Sequence, residues 1–203
     1  MDAVIVNFPI LYPPLWELHA QMIEAIAPVA QVKITVPAQM WACAAWAYLH
    51  QRGNITDRDK LTFLVLPTDD IWVRDYGPII GYDSRGQRVA FDAHYHRQSA
   101  FVNRRDDAMP LWWSGESGIP VLPLDLHTEG GNLWTDGAGT LFMTWQIFKT
   151  NPHFTQETLT RYLHTVFDFE KLILTPYMRL ESTGHIDLLL KLANANTVLV
   201  SAP

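Results

Sequence analysis

"TEGGNLWTDGAGTLFMTW" (128–145) runs from a carboxylate and two glycines into a β-rich stretch, turns on "DGAG", and ends in a second β-rich stretch. An Asp-Gly turn between apolar runs signals a hairpin, because the turn needs the positive φ that glycine adopts freely. The same order of loop, strand, turn and strand recurs in "RDYGPIIGYDSRGQRVAF" (74–91) and in "TGHIDLLLKLANANTVLVS" (183–201), where "NAN" turns the chain. Aligned on Asp75, Glu129 and His185, the copies fall 54 and 56 residues apart. A period near 55 residues indicates repeated supersecondary units, as in a propeller-like or pseudo-symmetric α/β architecture. Each unit would lay its loop at a common axis, so Asp75, Glu129 and His185 are expected to converge on one cavity.

The flanking sequence reads as further α/β structure. "AVIVNF" (3–8), "VKITVP" (32–37) and "LTFLVLP" (61–67, a buried strand) are predicted strands. Between them lie a helix over 15–30, with Leu15, Leu18, Met22 and Ile26 in one stripe and Ile23 alongside, and an Ala-rich helix over 38–53. Pro28 ends the first and Gly53 caps the second. The first third therefore reads β-α-β-α-β, with strands suited to a mixed sheet. "TQETLTRYLHTVF" (155–167) is a helix capped by Thr155. With threonine rather than Glu or Gln at 158, no reciprocal capping box is expected. The strand "KLILTP" follows.

The 203 residues suit one domain, taken as a single unit over 1–203. A composition 48% hydrophobic and 18% charged excludes a disordered chain. A net charge of −6 without a Lys/Arg cluster argues against nucleic acid as a partner. No apolar run is long enough to span a membrane. "MDAVIVNFPI" has no basic start and reads as a core strand rather than a signal peptide. The single cysteine, Cys43, leaves no internal disulfide and suits a cytoplasmic location. Its Ala- and Trp-rich helix marks it as an inert core residue.

"TDDIWVRDYGP" (68–78) concentrates three acids, Arg74 and Trp72 where two or three turn residues would do. Asp75 could grip a planar cation through paired hydrogen bonds, with Trp72 as a pocket wall. Arg74 would pair structurally with one of the acids. In "EGGN", Glu129 could orient a histidine while Gly130, Gly131 and Asn132 admit close approach of another segment. In "GHID", His185 and Asp187 would share one face of a strand, the histidine for proton transfer and the aspartate for a cation. Each motif alone also fits a solvated loop or strand end.

Together, "WVRDYGP", "EGGN" and "GHID" resemble the guanidino-modifying superfamily, and within it the agmatine deiminases and bacterial peptidylarginine deiminases. The resemblance spans roughly residues 3–203 and implies the pentein fold, an α/β propeller of five ββαβ-type units. It implies hydrolysis of agmatine to N-carbamoylputrescine and ammonia, a step of putrescine and polyamine biosynthesis, through a covalent thiouronium intermediate. By this resemblance Asp75 and Asp187 clamp the guanidinium, His185 is the acid/base, Glu129 orients it, and neither metal nor cofactor is needed. At ~55 residues per unit, the chain supplies about three to four of five units. The nucleophilic cysteine belongs to the last unit, so this chain is expected to be a truncated, inactive form.

The alternatives are a non-catalytic guanidinium-binding fragment, a peptidylarginine deiminase-like protein, or a metal-dependent hydrolase using "HYH" (94–96) with His185 and Asp187. The expected ligand is a guanidino small molecule. An incomplete array exposes strand edges, so homo-oligomerisation, or pairing with a chain that supplies the missing units, is expected.

Overall fold

The computed structural model describes residues 3–55, 57–95, 105–194 and 197–201. The chain divides into two compact units, Met1–Val73 with Ala100–Pro120, and Arg74–Ser99 with Val121–Pro203.

In the first unit, strands β1 (Ala3–Asn7), β2 (Gln31–Val36) and β3 (Leu61–Val65) alternate with helices α1 (Trp16–Ile26) and α2 (Gln39–Arg52). The strands form a sheet in the order β1-β2-β3, and both pairings are parallel. This replaces the mixed sheet expected from strand length: each connection is a helical crossover, which returns the chain in its original direction. Val32, Ile34 and Val36 on central β2 are fully buried, whereas Val65 on β3 is exposed. Among the described residues β3 ends the sheet, and it is buried at Leu61 but exposed at Thr62 and Val65, so it is only partly the buried strand expected.

Helix α1 forms where its pattern indicates, but Leu18 and Met22 are exposed. The buried positions are Ala20 and Ile23, followed by Ala27 just past the helix end. Alanines let the helix backbone approach the sheet closely, and that geometry rotates the apolar stripe away from the larger residues. On α2 the buried face is Ala42, Ala45 and Leu49, and Gly53 closes the helix at φ 70°. Cys43 falls off this face and is exposed, not in the core. A single helical turn, α3 (Val73–Tyr76), follows, and α4 (Met109–Ser117) belongs to the returning segment of the first unit.

The second unit repeats one plan. An antiparallel hairpin, β4 (Ile79–Tyr82) and β5 (Arg88–His94), takes β6 (Val121–His127) as a third strand parallel to β5. Likewise β7 (Trp134–Thr135) and β8 (Thr140–Thr144) take β9 (Lys171–Thr175) parallel to β8. Two helices, α5 (Gln146–Thr150) and α6 (Gln156–Val166), lie between β8 and β9. The third copy is the hairpin β10 (Leu190–Asn194) and β11 (Thr197–Val200).

The turns of the first two hairpins use the same chemistry. Asp83 Oδ1 accepts the N–H groups of Arg85 and Gln87, and Asp136 Oδ1 accepts those of Ala138 and Thr140. The core of this unit joins Val89, Phe91, Leu124 and Leu126 to Leu141, Met143, Leu159 and Leu163.

Helix α6 carries a capping box after all. Thr158 N–H donates to Thr155 Oγ1 at 3.2 Å, and Thr155 N–H donates to Thr158 Oγ1 at 2.8 Å. A threonine hydroxyl can accept the N-cap N–H as Glu or Gln does, which the residue-type rule overlooks. Among the described residues, no helix is long and apolar enough to cross a membrane.

Candidate active site

Each copy of the repeat places a short helical turn just ahead of its hairpin, and the motif residue stands within that turn or caps its start. Asp75 lies within α3, Glu129 precedes the 3-10 turn Gly130–Asn132, and His185 precedes the 3-10 turn Ile186–Leu188. The "GHID" segment is therefore not the strand expected. Gly184, at φ 69°, swings the chain out of extended geometry just before His185. His185 and Asp187 consequently owe their placement to a tight turn and not to strand alternation.

The three turns bring their side chains together. His185 Nε2–H donates to Glu129 Oε2 at 2.7 Å, and His185 Nδ1 faces Asp75 Oδ1 at 3.5 Å. Asp75 Oδ1 also accepts the N–H of Gly131 at 3.2 Å. One carboxylate oxygen each from Asp75 and Glu129 and one ring nitrogen of His185 lie within 4.8 Å of one another.

The glycines of "EGGN" are required by packing. A Cβ on Gly130 would sit 2.1 Å from the carbonyl oxygen of Arg74. One on Gly131 would sit 2.3 Å from His185 Nδ1 and 2.7 Å from Asp75 Oδ1. Asn132 is buried and accepts the N–H of Thr144 at 2.9 Å, which holds the end of the turn.

Arg74 and Asp187 complete the surroundings. Arg74 Nε lies 3.9 Å from Asp187 Oδ2, and its guanidinium stands over the Trp134 ring at 5.1 Å from the centroid. Trp72 belongs to the first unit, where it is 45% exposed, and the site described is built from the second unit alone.

The electrostatics follow from burial and crowding of acids. Burial, together with the charges of Glu129 and Asp187, pushes Asp75 up to about 6, against the pull of His185 and the Gly131 N–H. Burial also raises Asp187, opposed by His185 and Arg74. For His185 burial works against the charged form. The hydrogen bond to Glu129 and the charges of Asp75, Glu129 and Asp187 outweigh it, and the net shift is upward. The cluster thus favours a positive group in its midst, and the imidazole can exchange a proton through Nδ1 while Nε2 is held.

The metal set expected from "HYH" is not what the described residues gather. His94 lies 3.4 Å from Asp125 and against the His127 ring, and it is absent from the group formed by Asp75, Glu129 and His185. His96 lies outside the described residues. Sequence reasoning missed Thr144 and Glu181, which hold the carbonyl and the N–H of Gly184, respectively. Neither lies in a motif, and a threonine ending a strand or a glutamate in a loop carries no distinctive signal.

A family model described as Porphyromonas-type peptidyl-arginine deiminase matches residues 8–203. A protein of Mycoplasma capricolum named "Putative agmatine deiminase" is 27% identical over 199 residues, covering 93% of this chain and 52% of its own length. The chain spans about half the length of the curated relatives it matches. Among solved structures, an agmatine deiminase of Enterococcus faecalis superposes with a TM-score of 0.81 at 19% identity, covering 97% of this chain and 57% of that one. A substrate-bound agmatine deiminase of C. jejuni gives 0.80 at 19%, covering 97% and 60%. At these identities the likeness is one of fold, and it shows that this chain has the α/β fold of those enzymes.

Proposed function

Because this chain belongs to the Porphyromonas-type peptidyl-arginine deiminase family, we propose that Asp75, Glu129, His185 and Asp187 form the guanidinium-handling part of an agmatine deiminase-like site. The observation that carries this reading is the buried imidazole of His185 held between Glu129 and Asp75, with Asp187 raised nearby. Carboxylates around one point suit a planar cation, which each can engage with two N–H groups. Asp75 and Asp187 would clamp the guanidinium, Asp187 giving up its long contact with Arg74.

In the reaction this site would serve, a thiolate that these 203 residues do not supply would add to the guanidinium carbon. His185 donates a proton to the departing nitrogen as the C–N bond breaks, and ammonia leaves. Water then attacks the thiouronium carbon while His185 takes a proton from it, and the thiolate departs from the ureido product. Glu129 steadies the imidazolium in both steps. The ββ-plus-parallel-strand plan of the second unit fits the ββαβ units of a pentein propeller, which we propose as the arrangement.

The thiol of Cys43 is exposed on α2 of the first unit, and we assign it no part in the chemistry. The 203-residue chain is expected to bind guanidino compounds without releasing ammonia. Calorimetry with agmatine, beside an ammonia assay, tests this. Agmatine binding that Asp75→Asn abolishes, with no ammonia formed, is the expected result. No binding at millimolar agmatine, or ammonia release that Cys43→Ala abolishes, would overturn it. The description of the matching family favours peptidyl arginine as a second ligand class. A short arginine peptide that binds more tightly than agmatine would favour that reading.

A further inference from the structure

We propose that Thr144 is a positioning residue for His185, tying the loop that carries the histidine to the loop that carries Glu129. The role rests on His185 being the proton carrier of the proposed site. Thr144 is the last residue of β8, the central strand of its sheet, and it is fully buried. Its backbone N–H donates to Asn132 Oδ1 at 2.9 Å, three residues after Glu129. Its hydroxyl donates to the carbonyl oxygen of Gly184, the residue before His185, and accepts the N–H of Gln146 at 3.2 Å. One residue at the end of a rigid strand therefore holds both loops.

The Gly184 peptide has little freedom to adopt another pose. Its N–H donates to the Glu181 carboxylate, whose other oxygen accepts from Thr183. A Cβ on Gly184 would meet the Gln146 side chain at 2.7 Å, so the glycine is packed as well as bonded. The Glu129–His185 contact at 2.7 Å joins side chains from two loops 56 residues apart. A contact that short needs both backbones fixed to within a fraction of an ångström. The Asn132–Thr144–Gly184 link supplies that fixation. Removing the hydroxyl would leave the Gly184 carbonyl and the Gln146 N–H without their buried partner.

The test compares Thr144→Val, which keeps the shape and loses the hydroxyl, with Thr144→Ser, which keeps the hydroxyl. The His185 imidazole is titrated by NMR in the full chain, and agmatine binding is measured by calorimetry. Thr144→Val is expected to move the His185 midpoint down toward the ordinary histidine value. It should also weaken agmatine binding about tenfold, the order of one hydrogen bond to the ligand lost as His185 and Glu129 move out of line. Thr144→Ser should restore both. If Thr144→Val does not fold, Thr144→Ala carries the same comparison. A hydroxyl-free variant that folds and titrates like the parent would overturn the proposal. A Ser variant that folds but titrates like the Val variant would do so too, by assigning the link to methyl packing. Failure of the parent chain to bind agmatine would defeat the guanidine reading while the His185 titration still decides the role of Thr144.

Discussion

Asp75 sets the pH behaviour of the site. Its carboxyl is pushed up to about 6 in the folded chain, against an ordinary value of 3.8. An acid raised on folding favours the folded state below its ordinary value, and that contribution is lost as pH rises through about 6. The raised His185 has the same sign: its contribution is full below 6.5 and is lost as pH rises through the folded value. In urea denaturation from pH 4 to 8, the parent should therefore lose stability relative to Asp75→Asn as pH rises. A constant difference would show that Asp75 ionises normally. A bound guanidinium reverses the preference, because it needs the carboxylate, so agmatine affinity should climb through the same interval.

Gly130 gives a steric prediction beside this electrostatic one. Gly130→Ala forces a Cβ against the Arg74 backbone, whereas at Gly81 the nearest atom would be an ordinary 3.6 Å away on the Phe91 ring. Gly130→Ala should cost about 1–3 kcal/mol or more and weaken guanidine binding. Gly81→Ala should leave binding intact. Asp75, Glu129 and His185 were legible as candidates because they recur at one place in a repeat near 55 residues, although each motif alone would pass for a solvated loop. Thr144 and Glu181 were not, because they act on backbone atoms and share no spacing with the motifs.

Elements were legible where a backbone rule decides them and less so where packing does. Gly53, Asp83 and Asp136 mark a helix end and two turns through local hydrogen bonds and φ, and the structure has all three there. Which side of α1 is buried depends on how near the helix lies to the sheet. The small residues Ala20 and Ala27 decide that, while Leu18 and Met22, the apparent stripe, face out. For α6, Thr155→Ala should lower stability by about 1 kcal/mol. Thr158→Ala should cost less, and the two should be non-additive in a double-mutant cycle because each hydroxyl serves the other's N–H. Full additivity would mean that the box contributes nothing as a pair. Leu163→Ala, on the buried face of the same helix, should cost about 2–5 kcal/mol.

At the scale of the molecule, the hairpin β10–β11 leaves Val198, Leu199 and Val200 exposed, and among the described residues β11 pairs with β10 alone. An apolar edge of this kind recruits other strands. Size-exclusion chromatography of the 203-residue chain should show association, and Leu199→Lys should reduce it. A monodisperse monomer would count against this. The division into units, by contrast, follows from contacts that no local pattern announces. The first unit is built from two stretches, and Asp106 Oδ1 accepts the N–H of Asp69 at 2.6 Å while Arg105 pairs with the Asp69 carboxylate. Such a unit is complete only once its second stretch has been made. The core of its parallel sheet lies within residues 6–61, so on the ribosome the sheet can pack early, while the unit as a whole is finished only when the segment through Pro120 has emerged. The hairpin β4–β5 is synthesised in that interval, so in the order of birth the later unit begins before the earlier one is finished.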